Sequence, residues 1–248
     1  MNSFARQKYN GIMEKIYIRD LNKVSNVTHV VGIDANGNPV LIDKSNLAAD
    51  IASYIPATKS EVWIVYLDSS QNMVLVPWEQ WSTSRTDAVG VAIMSGGRRL
   101  LIAPHEPTLY WSSTVGSGGA VTTTSKVSAD ADYTGQNNTS KIVASDAFAG
   151  DGDGYAPGYC AAYSNGGVTA GSWWLPSLGE LGLMYEKFDA INAALAKING
   201  ATLLRRSSYH SSTEYSAASA WGMFFNSGYR GPNTKVAGSG RVRPVTSF

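Results

Sequence analysis

Short runs of β-forming residues that alternate with turn signals constrain this chain more than any other feature. Residues 62–67 and 73–78 are rich in branched and aromatic side chains and flank a polar segment. A second pair of runs, 88–94 and 99–103, flanks Ser95-Gly96-Gly97. Runs of this length with such connections predict antiparallel hairpins. The pattern therefore favours several short sheets.

The clearest helix follows Trp173-Trp174-Leu175-Pro176. Ser177 is a suitable N-cap, and Glu180 three residues later completes a capping box. Asn199-Gly200 supplies a stop signal. We expect one helix between these limits, with its apolar face on the core. That face would consist of Leu181, Met184, Tyr185, Phe188, Ile191, Leu195 and Ile198.

Residues 1–57 differ from the remainder and are too few to hold a core alone. We predict that this β-rich segment attaches or oligomerises the chain, and that 58–248 form a second domain. Its expected elements are a strand at 16–18, a hairpin of 30–33 and 40–42 around Asn36-Gly37, and a short helix at 45–51.

Composition narrows the possible functions. The chain has 20 basic and 19 acidic residues without a basic cluster, which argues against nucleic acid as a partner. Cys160 is the single cysteine, so it cannot form an intrachain disulfide, and we expect it to be buried. No apolar run is long enough for a signal peptide or a membrane span. We therefore expect synthesis in a cytoplasm and no membrane insertion.

No catalytic constellation is visible. The three histidines, His29, His105 and His210, are widely separated, and no metalloprotease, P-loop or nucleophile-elbow motif occurs. The segment 146–154 contains Asp146, Asp151 and Asp153 among glycines, where carbonyl oxygens could complete a calcium site. Such a sequence is also typical of a simple turn. We predict no catalytic residue, no cofactor and no metal, with calcium at 146–154 as the open alternative.

Residues 112–140 and 220–226 carry two further predictions. The first segment is rich in Ser, Thr, Gly and Asn, which predicts a long surface loop. The second predicts a strand in which Trp221, Met223 and Phe225 point inward. Gly222, Phe224 and Asn226 would lie on its opposite face.

Several motifs follow one another in the C-terminal half of the chain. They are Cys160-Ala161-Ala162-Tyr163, then Gly171 to Ser177 with Glu180-Leu181, then Tyr209 to Glu214, then Ala220-Trp221, and last Arg241 to Val245. This order resembles the DUF1566-type branch of the C-type-lectin fold, and the resemblance covers about residues 85–248. It implies an α+β fold, a C-type-lectin-like domain of mixed short β-sheets with one or two helices.

The closing stretch of the chain, residues 209–248, is similar to the C-terminal repeat of the variable proteins of diversity-generating retroelements in bacteria and phages. We call this stretch the closing repeat. In that family an adenine-directed process rewrites exposed residues on a fixed scaffold. The resemblance implies a framework of Ser211, Ser212, Thr213, Glu214, Ala220, Trp221, Phe225, Gly228, Arg241, Val242, Arg243 and Pro244. It implies ligand contacts at Tyr215, Ser216, Ser219, Gly222, Phe224, Asn226, Ser227, Tyr229, Gly231, Asn233, Thr234 and Ser239.

The chain departs from related families in two ways. The Glu-Pro-Asn tripeptide of calcium-dependent animal lectins is missing, and Gly231-Pro232-Asn233 matches it only in part. Formylglycine-generating enzymes of the same fold use a cysteine pair, which Cys160 alone cannot supply. Neither metal-bridged sugar binding nor that enzymatic activity is therefore implied.

Taken together, these features lead us to expect a non-enzymatic phage fibre or receptor-binding protein, located in the virion. Its partners would be a glycan or protein on the host cell surface and other virion proteins bound through residues 1–57. A homotrimer is the expected assembly, by analogy with related phage determinants. The alternatives are a structural head-fibre or capsid-decoration protein and a bacterial surface adhesin.

Overall fold

The computed structural model describes residues 29–33, 39–43 and 61–248. The chain divides into two compact units, Met1–Lys59 and Ser60–Phe248. In the first unit β1 (His29–Ile33) and β2 (Pro39–Asp43) pair in antiparallel fashion.

These two strands confirm the predicted N-terminal hairpin. Its turn at 34–38, the strand expected at 16–18 and the helix expected at 45–51 lie outside the described residues. The attachment role of residues 1–57 stays a prediction.

The first sheet of the second unit has five strands and contains both hairpins predicted from the sequence. In the second of these hairpins the turn is formed by Gly96 and Gly97, whose φ angles of +56° and +76° favour glycine. The strands are β3 (Val62–Leu67), β4 (Met73–Pro77), β5 (Ala88–Ser95), β6 (Arg98–Ile102) and, near the C-terminus, β12 (Val245–Thr246). Their order is β12-β6-β5-β3-β4, and all neighbours are antiparallel.

The second five-stranded sheet is built largely from the closing part of the chain. Its strands are β7 (Thr108–Leu109), β8 (Ser208–Glu214), β9 (Ser219–Phe224), β10 (Tyr229–Thr234) and β11 (Gly240–Arg241). The order is β10-β9-β8-β11-β7, with β11 parallel to β8 and the other pairs antiparallel.

Helices connect the two sheets, so the domain is α+β as expected, although it has more helices than the one or two predicted. Among the described residues none of these helices has the length and apolar character needed to cross a membrane. The α-helices are α1 (Lys126–Asp130), α2 (Gly135–Ala144), α3 (Ala156–Ala162), α4 (Leu178–Glu186) and α5 (Phe188–Leu195). Single 3-10 turns occupy Trp78–Gln80, Asp146–Phe148 and Gly152–Gly154.

The prediction of a surface loop over residues 112–140 is wrong, because α1 and the first part of α2 lie there. The side chain of Ser125 caps α1 by accepting the N–H of Ser128 at 3.3 Å. In α2, Asn138 and Thr139 are buried although they are polar. Asn138 bonds to Asp132 and to the N–H of Val121, and Thr139 bonds to the more distant Leu175. Because these buried positions are polar, the segment lacks the apolar periodicity that would have indicated a helix.

The prediction of one continuous helix after Pro176 is wrong as well. The chain breaks at Lys187, where φ −106° and ψ 16° separate α4 from α5. Most of the predicted apolar face is nevertheless buried, and Tyr185 and Phe188 are half-buried. The predicted stop at Asn199-Gly200 also lies too late, because α5 ends at Leu195 with Ala196 as its C-cap. Gly200 itself takes a φ of +77° in the turn that follows.

The first sheet packs on both of its faces. One face contributes Ile64, Val91 and Ile102 to the main core, which also contains apolar residues of α4, α5, β8 and β9. The opposite face contributes Val65 and Leu101 to a smaller cluster. The main core therefore lies between the first sheet, the two helices and the β9 strand that carries the candidate site.

Candidate ligand-binding surface

The predicted contact residues lie mainly on and around the hairpin of β9 and β10. The register places Phe224 opposite Tyr229, and Gly222 opposite Gly231. Gly228 ends the turn with φ +73°, and its N–H donates to the Phe224 carbonyl at 2.8 Å. Because β10 is the edge strand of its sheet, the hairpin forms one border of the domain.

The inward face of β9 anchors this hairpin. Trp221, Met223 and Phe225 are 4%, 0% and 0% exposed, which confirms the prediction made from strand alternation. The centroid of the Phe225 ring lies 4.3 Å from that of Tyr209 and 5.6 Å from that of Tyr185. Ring contacts at these distances stabilise a packed core beyond the burial of area.

The predicted contact residues differ widely in exposure. Strand alternation accounts for part of the variation and close packing of neighbouring side chains for the rest. Asn226, Ser227, Tyr229, Thr234 and Ser239 are exposed, Tyr215, Ser216, Ser219, Phe224 and Asn233 are half-buried, and Gly222 and Gly231 are buried.

At Gly222 and Gly231 the expectation of an exposed, freely variable position is wrong. A Cβ atom on Gly222 would lie 2.3 Å from Nδ2 of Asn233, and one on Gly231 would lie 2.6 Å from Cε1 of Tyr229. Both glycines are thus covered by side chains of β10. The remaining positions stay predicted contacts.

The tip of the hairpin presents two aromatic rings. The centroids of Phe224 and Tyr229 lie 5.7 Å apart, with 53° between the ring planes. Tyr229 is 62% exposed, and Asn226 in the turn is exposed as well. A rigid aromatic side chain beside an adaptable amide is a combination typical of contact surfaces.

A second group of predicted contacts lies at the opposite end of the hairpin. The N–H groups of Tyr215 and Ser216 donate to the Ser219 carbonyl at 2.9 and 3.0 Å, and Thr234 pairs with Ser219. Six residues of extended strand span about 17 Å between the two ends. Ser239 belongs to neither group, since it lies between β10 and β11. The structure therefore divides the predicted site into the tip and this base.

Behind the hairpin, a buried ion pair joins β8 to the residue that follows β10. The side chains of Glu214 and Lys235 contact each other, and both are 0% exposed. The N–H groups of Gly118 and Ala120 donate to the same carboxylate at 3.0 and 3.2 Å. The Lys235 ammonium also lies 4.5 Å from the ring centroid of Trp111, and burial lowers its pKa. Several partners thus compensate for the loss of water around this pair.

A second buried cluster fixes the start of α4. The N–H of Ser177 donates to Glu180 Oε2 at 2.8 Å, which confirms the predicted capping box. Thr213 Oγ1 accepts the N–H of Leu178 at 2.9 Å and donates to Asp132 Oδ2 at 2.7 Å. Burial raises the pKa of Glu180. Two motifs that are separated in sequence therefore share one hydrogen-bond network.

A third cluster surrounds the fully buried guanidinium of Arg243. It forms an ion pair with Glu106 at 2.7 Å and donates to the carbonyls of Ala103 and Thr202, each at 2.9 Å. The hydroxyl of Tyr209 donates to the same Glu106 carboxylate at 2.8 Å. The framework positions at the C-terminal end of the repeat are therefore held by the loop that leads into β7.

Glu106, Asp132, Lys235 and Ser208 were missed by sequence reasoning. The first three are charged residues in polar surroundings, and such residues usually face water, so the sequence contained no signal for their burial. Ser208 accepts a hydrogen bond from Nδ2 of Asn233 at 3.2 Å. Its position two residues before His210 places both side chains on the same face of β8, and this alternation was the one available signal.

The histidines and the cysteine in the second unit have mainly structural surroundings. Burial lowers the pKa of His210 to about 4, and its Nε2 lies 3.1 Å from the Leu109 carbonyl. Nδ1 of His105 lies 2.9 Å from the Tyr163 hydroxyl. Cys160 is buried as predicted, and burial raises its thiol pKa. His29 lies in β1, for which only the backbone is described.

The acidic segment 146–154 forms two 3-10 turns. Asp151 accepts the backbone N–H of Ser113 at 3.1 Å and also binds the hydroxyl of that serine. Across the described part of the chain, no group of three or more His, Cys, Asp or Glu residues is placed to hold a metal ion. The contacts of Asp151 indicate that this carboxylate ties two loops together.

Comparison with known proteins gives one structural likeness. Over 74% of its residues, the chain resembles a fimbrial protein from Bacteroides ovatus ATCC 8483, with a TM-score of 0.56 and 16% sequence identity. The match covers 48% of that protein, so it spans about half of the fimbrial protein's length. At this identity the likeness concerns the fold alone. No protein-family model matches the chain, and no curated protein matches it significantly.

Proposed function

We propose that this chain is a non-enzymatic, surface-displayed binding protein that contacts its ligand through the tip of the β9–β10 hairpin. The observation that carries the proposal is the exposed ring of Tyr229 beside the half-buried ring of Phe224, on a hairpin whose inward residues are fixed in the core. Large aromatic side chains in water gain free energy when a partner covers them. A rigid support keeps the entropy lost on binding small.

The second unit is proposed to be a C-type-lectin-like domain of the DUF1566 type, related to the variable proteins of diversity-generating retroelements. Supporting this, the Trp-x-Leu-Pro-Ser and Ser-Ser-Thr-Glu segments are joined through Thr213 and Leu178. Most of the proposed framework positions are buried, including Glu214 and Arg243. Exposed proposed contacts such as Tyr229 and Asn226 stand beside them.

Two sites of display are compatible with this proposal. The structural likeness to a fimbrial protein favours a bacterial surface adhesin. The resemblance of the closing repeat to phage variable proteins favours a virion fibre, in which residues 1–57 would bind other virion proteins and form a homotrimer. A head-fibre or capsid-decoration protein is a further candidate on the virion, and it differs from the fibre in that it needs no receptor. Immunogold microscopy separates the adhesin, which predicts label on whole cells, from the two virion roles, which predict label on purified virions. Binding to host cells then separates the receptor-binding fibre from the head-fibre or capsid-decoration protein.

The contact surface is tested by binding of the labelled full chain to a panel of intact gut-type bacteria. We expect Phe224→Ala with Tyr229→Ala to weaken binding about tenfold or more, as for other aromatic hot spots. Tyr110→Ala is the matched control, because Tyr110 is 49% exposed and follows β7 at the other edge of the same sheet. Equal binding by the double variant and the control would remove the tip from the site.

A further inference from the structure

The ring of Tyr229 lies across a glycine of its own strand. The three atoms nearest to a Cβ built on Gly231 are Cε1, the hydroxyl oxygen and Cζ of Tyr229, at 2.6, 2.8 and 2.9 Å. Real Cβ atoms do not approach other heavy atoms this closely. The ring therefore occupies the space that any other residue at position 231 would fill.

The backbone does not require glycine at this position. Gly231 is paired in β10 and is not among the glycines with positive φ. Glycine inside a strand weakens the strand and often marks a close approach of another group. Here that group is the Tyr229 ring, so the reason for glycine is the space that it leaves.

Gly222 offers a useful contrast. A Cβ there would lie 2.3 Å from Nδ2 of Asn233 but also 3.0 Å from the backbone carbonyl oxygen of Tyr209. A substitution of Gly222 would therefore strain the pairing of β8 with β9. At Gly231 the nearest obstacles all belong to one movable side chain, so a substitution there acts on the ring.

We propose that Gly231 is a positioning residue that sets the orientation of the Tyr229 ring at the ligand-contacting tip. This inference rests on the proposed function for its consequence in binding. One side of the ring rests on the strand at Gly231, while the residue remains 62% exposed towards solvent. A side chain at 231 lifts the ring from the strand and changes its distance from Phe224. The ligand then meets a displaced aromatic surface.

The orientation is tested first without a ligand, by nuclear Overhauser contacts. We expect a strong contact between the Hα protons of Gly231 and the ring protons of Tyr229, and one between the rings of Tyr229 and Phe224. In Gly231→Ala the second contact weakens, while the thermal midpoint stays close to that of Gly150→Ala. Gly150 is the matched control, because a Cβ there has no heavy atom within 4 Å and its φ is not positive.

The consequence for binding is tested by a double-mutant cycle on the same panel of intact cells. We expect Gly231→Ala to weaken binding about threefold to tenfold, as when one aromatic contact is lost. In a Tyr229→Ala background the same change should have less than about a twofold effect, because a residue that acts through the ring cannot act without it.

Each outcome decides one of the two proposals. Absence of the contact between Gly231 and the Tyr229 ring overturns the positioning role, and so does an equal loss of binding in both backgrounds. If Tyr229→Ala leaves cell binding unchanged, the proposed contact surface is overturned, and the Overhauser contacts still decide whether Gly231 seats the ring.

Discussion

The buried clusters behind the β9–β10 hairpin and the tip of that hairpin differ in their exposure to water. Behind the hairpin, Glu214 and Lys235 are removed from water and compensated by several fixed partners. At the tip, Tyr229 keeps most of its surface in water. A buried charge pair stabilises one arrangement of the chain. An exposed ring contributes little to folding, but its burial by a partner can still contribute to the free energy of binding. Stability and binding are therefore carried by neighbouring but separate residues.

The sharpest way to break this comparison is to remove one charge of the buried pair. We expect Lys235→Met to lower the free energy of unfolding by about 3 to 5 kcal/mol, because it leaves the Glu214 carboxylate buried without its cation. Denaturant titration measures this loss. Adding Glu214→Gln to the same chain should restore part of the stability, and no recovery would mean that the unpaired carboxylate is not the cause of the loss.

A smaller effect is expected from acid at His210. Its folded pKa of about 4 lies below the ordinary value of 6.5, so the unfolded chain takes up the proton first as the pH falls. The stability due to the neutral ring is complete above pH 6.5 and is lost progressively towards pH 4, by about 3 kcal/mol in total.

The pH dependence of unfolding measures this loss, and His210→Gln is the control. Its amide N–H can still donate to the Leu109 carbonyl but does not titrate. If both chains lose the same stability between pH 6.5 and 4, the histidine is not the group responsible.

The smallest effect is expected at the tip. Tyr229→Ala should change the free energy of unfolding by no more than about 0.5 kcal/mol, because its ring is mostly in water. Phe225→Ala, four residues away and 0% exposed, should cost about 3 to 5 kcal/mol in the same denaturation experiment. Similar losses in the two variants would mean that the tip is part of the core.

The parts of the fold that could be predicted from the sequence are those that depend on local signals. Both hairpins of the first sheet and the capping box at Ser177 follow from local signals, since turns and caps depend on residues a few positions apart. Helix α2 did not, because its polar residue Thr139 is buried against the distant Leu175, whose N–H donates to the Thr139 hydroxyl at 3.0 Å. No local pattern reveals a partner that folding brings in from elsewhere.

By itself, the amino-acid sequence determined that Trp221, Met223 and Phe225 face inward, because side chains alternate across any strand. It also determined the short strands and the start of α4. Only the tertiary structure decided that Lys235 is buried, that Gly222 and Gly231 lie beneath Asn233 and Tyr229, and that the predicted contacts divide between tip and base. These features depend on which segments meet in space, and the packing of distant segments determines them.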